Sequence, residues 1–108
     1  MVFLYFFLNA YINYELADYD SSIVDYTKAI NLCKLNFGKI DPFTGYQFGS
    51  TFGGALSHLF LDRAKVFKEI KEVDGCCNDY NTALQLTDEG SNEQKEIQKL
   101  ISETCNSE

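Results

Sequence analysis

The sequence predicts an all-α domain in which two antiparallel helical hairpins stack as a short solenoid and a capping helix closes the C-terminal end. Three observations carry this. Laid on itself 54 positions along, the chain brings Phe6 onto Phe60, Ala10 onto Ala64, Asp25 onto Asp79, Tyr26 onto Tyr80 and Ala29 onto Ala83. Inside each copy apolar residues recur at three- and four-residue intervals, the spacing that gathers side chains on one helical face. Near the C-terminus, Ser91-Asn92-Glu93-Gln94 reads as a capping box that opens one more helix.

A chain of 108 residues that is 45% hydrophobic has the size and composition of one folded domain. At this length folding buries roughly two-thirds of the surface exposed by the unfolded chain, enough for a core without metal or disulfide staples. Nine basic residues stand against 16 acidic ones, a net charge of −7, and no Lys/Arg stripe is present. Nucleic acid and anionic membrane surfaces are thereby excluded as partners, since both need such a stripe. Basic or neutral partners suit an acidic domain better.

The first helix is expected to bury Phe3, Phe6, Phe7, Ala10 and Leu16. Its opening run, Met1 to Leu8, has no positive flank and no small-x-small cleavage site, and Asn9 interrupts it, so neither a targeting segment nor a membrane span is expected. A run this apolar is also a surface through which two copies could pair, and a homodimer through Val2 to Phe7 is an expectation to test. The second helix offers Tyr19, Ser22, Ile23, Tyr26, Ala29, Ile30 and Leu32, completing a first repeat over about 3–34.

Residues 35–54 form an insert. Gly38, Gly45, Gly49, Gly53, Gly54 and Pro42 argue against a long helix there, and Phe37, Phe43, Tyr46, Phe48 and Phe52 argue against disorder. A packed loop over a helical edge, or a lid beside a binding groove, answers to both.

The second repeat, about 55–88, places Leu56, Leu59, Phe60, Ala64, Phe67 and Ile70 on its first helix. An acidic turn at Glu72–Gly75 then leads to Cys76, Cys77, Tyr80, Ala83, Leu84 and Leu86, and Gly90 closes that helix. In the capping helix, about 91–104, Ile97, Leu100 and Ile101 make the apolar stripe, while Glu93, Lys95, Glu96 and Lys99 are expected in solvent. Small residues at Ala10, Ala64, Ser22, Cys76, Ala29 and Ala83 let helix backbones approach, with Phe67, Tyr26 and Tyr80 filling the adjoining grooves.

The strings Phe60-x-x-Arg63-Ala64-x-x-Phe67 with Cys76-x-x-x-Tyr80-x-x-Ala83, and Phe6-x-x-Asn9-Ala10-x-x-Asn13 with Ser22-x-x-x-Tyr26-x-x-Ala29, resemble the tetratricopeptide repeat family. Asn13, Ser22, Cys76, Lys34 and Asp88 depart from that family's usual residues. The resemblance implies a protein-interaction module that binds a peptide or partner helix on a concave surface lined by the first helix of each hairpin. By position, that surface carries Leu4, Phe7, Tyr11, Tyr14 and Glu15 from one hairpin and His58, Leu61, Lys65, Lys68 and Glu69 from the other. The candidate binding residues are Phe7, Tyr11, Tyr14, His58, Leu61, Lys65 and Lys68. Phe7 and Tyr11 occupy places where chaperone-tail receptors of the family carry a basic and amide clamp, so a hydrophobic or weakly basic protein or peptide is the expected partner. The alternative that the resemblance leaves open is a regulatory fragment of a larger enzyme or co-chaperone.

Catalytic chemistry finds no foothold in the sequence. His58 is the one histidine, no phosphate-binding glycine loop occurs, and no zinc-ligand spacing can be written, so neither an enzyme, a metal nor a cofactor is expected. Cys33, Cys76, Cys77 and Cys105 include an adjacent pair that suits a disulfide framework poorly; all four are expected reduced, in a cytoplasmic protein, with Cys76 buried as a packing thiol. Arg63 is expected to lay its stem on the core and reach Asp25 or Asp79.

Overall fold

The periodic segments form five helices in the computed structural model: α1 (Val2–Glu15), α2 (Tyr19–Leu35), α3 (Phe52–Glu69), α4 (Val73–Gln85) and α5 (Asn92–Thr104). Residues 2–35 and 52–105 are described, with side chains placed at 5–35 and 56–105. No strand occurs among them. Most of the expected insert lies outside the described residues. At its end, however, Phe52, Gly53 and Gly54 already belong to α3. The glycines fall in the first turn, where backbone N–H groups have no intrahelical partner in any case.

Each helix packs on the one before it in the chain. Within the first pair, Ser22 Oγ donates to the Ala10 carbonyl at 2.8 Å and the Phe7 and Tyr26 rings meet at 6.4 Å, so α1 and α2 run antiparallel. Within the second pair Arg63 reaches Asp79, and a Cβ at Gly75 would lie 3.1 Å from the Phe67 ring. A side chain at position 75 would therefore require the Phe67 ring to shift by a few tenths of an ångström. Ala10, Ala29, Ala64, Cys76 and Ala83 are fully buried where the backbones converge, and Tyr26, Phe60 and Tyr80 fill the space around them.

Both pairs turn in the same way. After α1, Ala17 N–H donates to Tyr14 and Asp18 N–H to the Asn13 carbonyl; after α3, Lys71 N–H donates to Lys68 and Glu72 N–H to Phe67. These paired bonds are a Schellman motif, which needs a left-handed residue at its centre. Ala17 (φ 61°) and Lys71 (φ 63°) supply it without being glycine. They stand 54 positions apart, so the internal repeat extends to the backbone. This motif completes the second turn by Glu72, and α4 starts at Val73, so the acidic stretch expected as a turn is mostly helical.

The core differs from expectation at Leu16, which lies exposed in the turn after α1 instead of buried, and at two positions of α3. Val66 is fully buried, although its spacing did not place it on the apolar face, and Ile70 lies at the surface. α3 has neighbours on two sides, α2 and α4, which widens its buried arc beyond one stripe, whereas Ile70 falls in the turn. At the other end α4 stops at Gln85, before the closing Gly90. Gly90 instead takes a left-handed φ of 79° just ahead of α5. Ser91 accepts from the Gln94 N–H at 3.1 Å, and the Gln94 side chain accepts from the Gly90 N–H at 2.7 Å. Ile97 of α5 is buried, with Leu100 and Ile101 packed partly against the core.

Candidate functional site

Turned to one side of the α1–α2 pair, Phe7, Tyr11, Tyr14 and Glu15 of α1 face Asp62 and Lys65 of α3 across a cavity of about 240 Å³, with Tyr26 of α2 completing the wall. Their spacing explains the gathering. Positions 7, 11, 14 and 15 share one face of α1, as 62 and 65 do on α3. Four of the seven candidate residues, Phe7, Tyr11, Tyr14 and Lys65, therefore meet at one place. Asp62 and Tyr26 belong there too. The sequence marks Tyr26 only as a packing residue and does not single out Asp62, although its place four residues after His58 and three before Lys65 puts it on the candidate face of α3.

The other three candidates do not line this cavity. His58 is well exposed, with its Nδ1 3.8 Å from Glu93 Oε1. Leu61 is half-buried against the core, and Lys68 is exposed in the last turn of α3. The side chain of Leu4 lies outside the described residues.

The cavity wall is aromatic and its charge is mainly acidic. The Lys65 ammonium sits over the Tyr14 ring, 5.1 Å from its centroid, and Tyr14 in turn contacts Tyr19 at 5.8 Å. Burial pushes the Asp62 carboxyl above its ordinary value, against the opposing pull of His58 and Lys65. Burial also holds the Tyr26 hydroxyl far above the usual tyrosine range, reinforced by Asp62, Tyr11, Tyr14 and Glu15. All four of those groups line the same cavity.

Elsewhere the polar chemistry is structural. Arg63 makes a two-pronged pair with Asp79, Nε at 2.8 Å and Nη2 at 2.7 Å, and its Nη1 donates to Thr27 of α2 at 3.0 Å. Of the two expected acids, Asp79 is the partner and Asp25 is not, and the same guanidinium ties α2 to the second pair. Glu93, expected in solvent, accepts a hydrogen bond from buried Ser57 at 3.1 Å and so links α5 to α3. Among the described residues, no three His, Cys, Asp or Glu side chains gather as a metal site. No described helix is long and apolar enough to cross a membrane.

The expectation that all four cysteines are reduced is overturned: Cys77 and Cys105 form a disulfide. Adjacent helix positions point about 100° apart, so Cys76 enters the core while Cys77 faces the end of α5. Cys33 and Cys76 remain thiols, both buried. Burial pushes Cys33 up to about 11 and raises Cys76 as well, which keeps both protonated and unreactive.

No family model matches the chain. Comparison with curated proteins and with solved structures likewise finds no match.

Proposed function

We propose that this chain is a non-enzymatic interaction module of the tetratricopeptide type, a short solenoid of two hairpins and a capping helix that binds a peptide or partner helix in the cleft between α1 and α3. The gathering of Phe7, Tyr11, Tyr14 and Lys65 around one cavity is the observation that supports it. Tyrosine and phenylalanine bring large contact area at low entropic cost, which suits a binding surface. A hydrophobic or weakly basic segment fits the aromatic, acidic lining.

Selection from a random displayed-peptide library, read with the parent chain and with a Tyr11→Ala, Tyr14→Ala variant of equal helicity, tests this reading. Peptides enriched by the parent and lost by the variant are the expected result. Enrichment that survives in the variant removes the cleft as the binding surface.

Self-association through α1 is a second reading, favoured by the exposure of Tyr5, Leu8 and Ile12 along one side of that helix. A monomer by light scattering at micromolar concentration eliminates it. Cytoplasmic residence is the reading from composition, but the Cys77–Cys105 bond favours an oxidising compartment. Thiol alkylation of the chain in intact cells separates the two.

A further inference from the structure

The cavity between α1 and α3 combines three features that bear on its ligand. First, its lining carries two carboxylates, Glu15 and Asp62, against one cation, Lys65, and so stands one positive charge short of neutrality. Second, Tyr26 is only 3% exposed, yet among the described residues nothing hydrogen-bonds its hydroxyl, although every group that acts on that hydroxyl lines the cavity. A buried hydroxyl without a partner has a desolvation cost that an incoming donor would relieve. Third, the Lys65 ammonium already rests over the Tyr14 ring, so this wall accepts a cation in the geometry of a cation–π contact.

We infer that this cavity receives one cationic side chain, a lysine or arginine of the bound peptide, held by Asp62, the Tyr26 hydroxyl and the faces of Tyr11 and Tyr14. The inference rests on the peptide-binding reading and names what that peptide presents. Lys65 is then an internal competitor. It balances part of the acidic lining while the cavity is empty and yields its place over Tyr14 when the ligand cation enters. An anionic ligand is disfavoured, since it would face Glu15 and Asp62 with one lysine to offset them.

The test uses the full oxidised chain and three small probes, N-acetyl-lysine methylamide, N-acetyl-arginine methylamide and the uncharged N-acetyl-norleucine methylamide. Each is titrated while the ring signals of Tyr11, Tyr14 and Tyr26 are followed by NMR. The cationic probes should saturate in the millimolar range, and norleucine should bind about tenfold more weakly, a step of about 1.4 kcal/mol. Asp62→Asn should bring lysine and norleucine together, while Lys65→Met should strengthen binding of the cationic probes. Equal binding of norleucine and lysine, or an Asp62→Asn variant that keeps the parent preference, overturns the proposal. The peptide reading fails separately: if the probes saturate but no displayed peptide is enriched, the cation site stands and a peptide as its source is overturned. Enriched peptides without a basic residue, together with equal probes, sink the cation site and leave the peptide reading intact.

Discussion

The two helix pairs share a turn, a set of small residues and a buried tyrosine, yet the same face of each meets a different fate. On α3, Leu59 is 3% exposed and Val66 fully buried, because α2 of the preceding pair lies beside them. Their counterparts on α1, Tyr5 and Ile12, are 60% and 51% exposed. The acids differ accordingly. Asp79 is held by two bonds from Arg63, which also reaches across to α2, whereas among the described residues Asp25 accepts one bond, from Asn13 at 3.0 Å. A guanidinium is worth burying where a neighbouring pair excludes water; an amide suffices at an open face, which here forms a groove lined by Tyr5, Phe6, Asn9, Asn13 and Lys28. Packing between pairs therefore decides how one sequence pattern is used.

The disulfide makes the asymmetry largest at the C-terminal side. It closes a separation of 28 residues between α4 and the end of α5. Loop-closure entropy assigns such a bond about 3.5 kcal/mol. Reduction, or a Cys77→Ala, Cys105→Ala variant, should lower stability by about that amount in urea melts. Native-state hydrogen exchange should then speed up in α5 before it does in α1 and α2. Uniform loss across all helices would show that the two pairs do not differ in this way.

Next in size is the contrast between the two acids. Arg63→Ala leaves the Asp79 carboxylate, whose side chain is 4% exposed, without its ion pair and should cost about 3 kcal/mol. Asn13→Ala removes one bond at a partly open site and should cost about 1 kcal/mol. Similar losses for the two variants would erase the distinction.

Much of this was legible in the residues, and the unread part has physical reasons. The offset of 54 predicted helix pairs that repeat, Ser91 and Gln94 predicted the start of α5, and an arginine amid apolar neighbours narrowed its acid to Asp25 or Asp79. Those signals are local, or repeated. The Cys77–Cys105 bond depends on where α5 lies against α4, which spacing along the chain does not encode. Asp62 looked like any surface carboxylate because the side chains it faces across the cavity belong to α1 and α2, different segments of the chain. The left-handed turns at Ala17 and Lys71 were hidden because neither position carries the glycine or asparagine that marks them.

Asp62 also sharpens the comparison, because its counterpart in the first pair is the exposed Leu8. Burial raises the folded-state carboxyl, so Asp62 favours folding most below its unfolded value of about 3.9, and this contribution is lost as pH rises through the raised folded value. Asp62→Asn should therefore stabilise the chain at neutral pH, and the advantage should vanish below about pH 4, where the parent carboxyl is protonated too. Leu8→Asn should show no such pH dependence. A destabilised Asp62→Asn variant at pH 7 would mean that the attraction of His58 and Lys65 for the carboxylate outweighs the cost of its burial.

The smallest effect lies in the feature that the two pairs share most closely. Holding an L-residue in the left-handed region costs about 1–2 kcal/mol, while glycine there adds back about 0.5–1 kcal/mol through the freedom of the unfolded chain. Ala17→Gly and Lys71→Gly should each stabilise by about 0.5 kcal/mol, and by the same amount, since both turns use the same pair of bonds. Thermal melts of the single and double variants measure this. Additive, equal shifts would establish the turns as independent copies of one device. An unequal pair would trace to the start of the following helix, where Asp18 accepts from the Ser21 N–H at 3.4 Å but Glu72 offers α4 no side-chain cap.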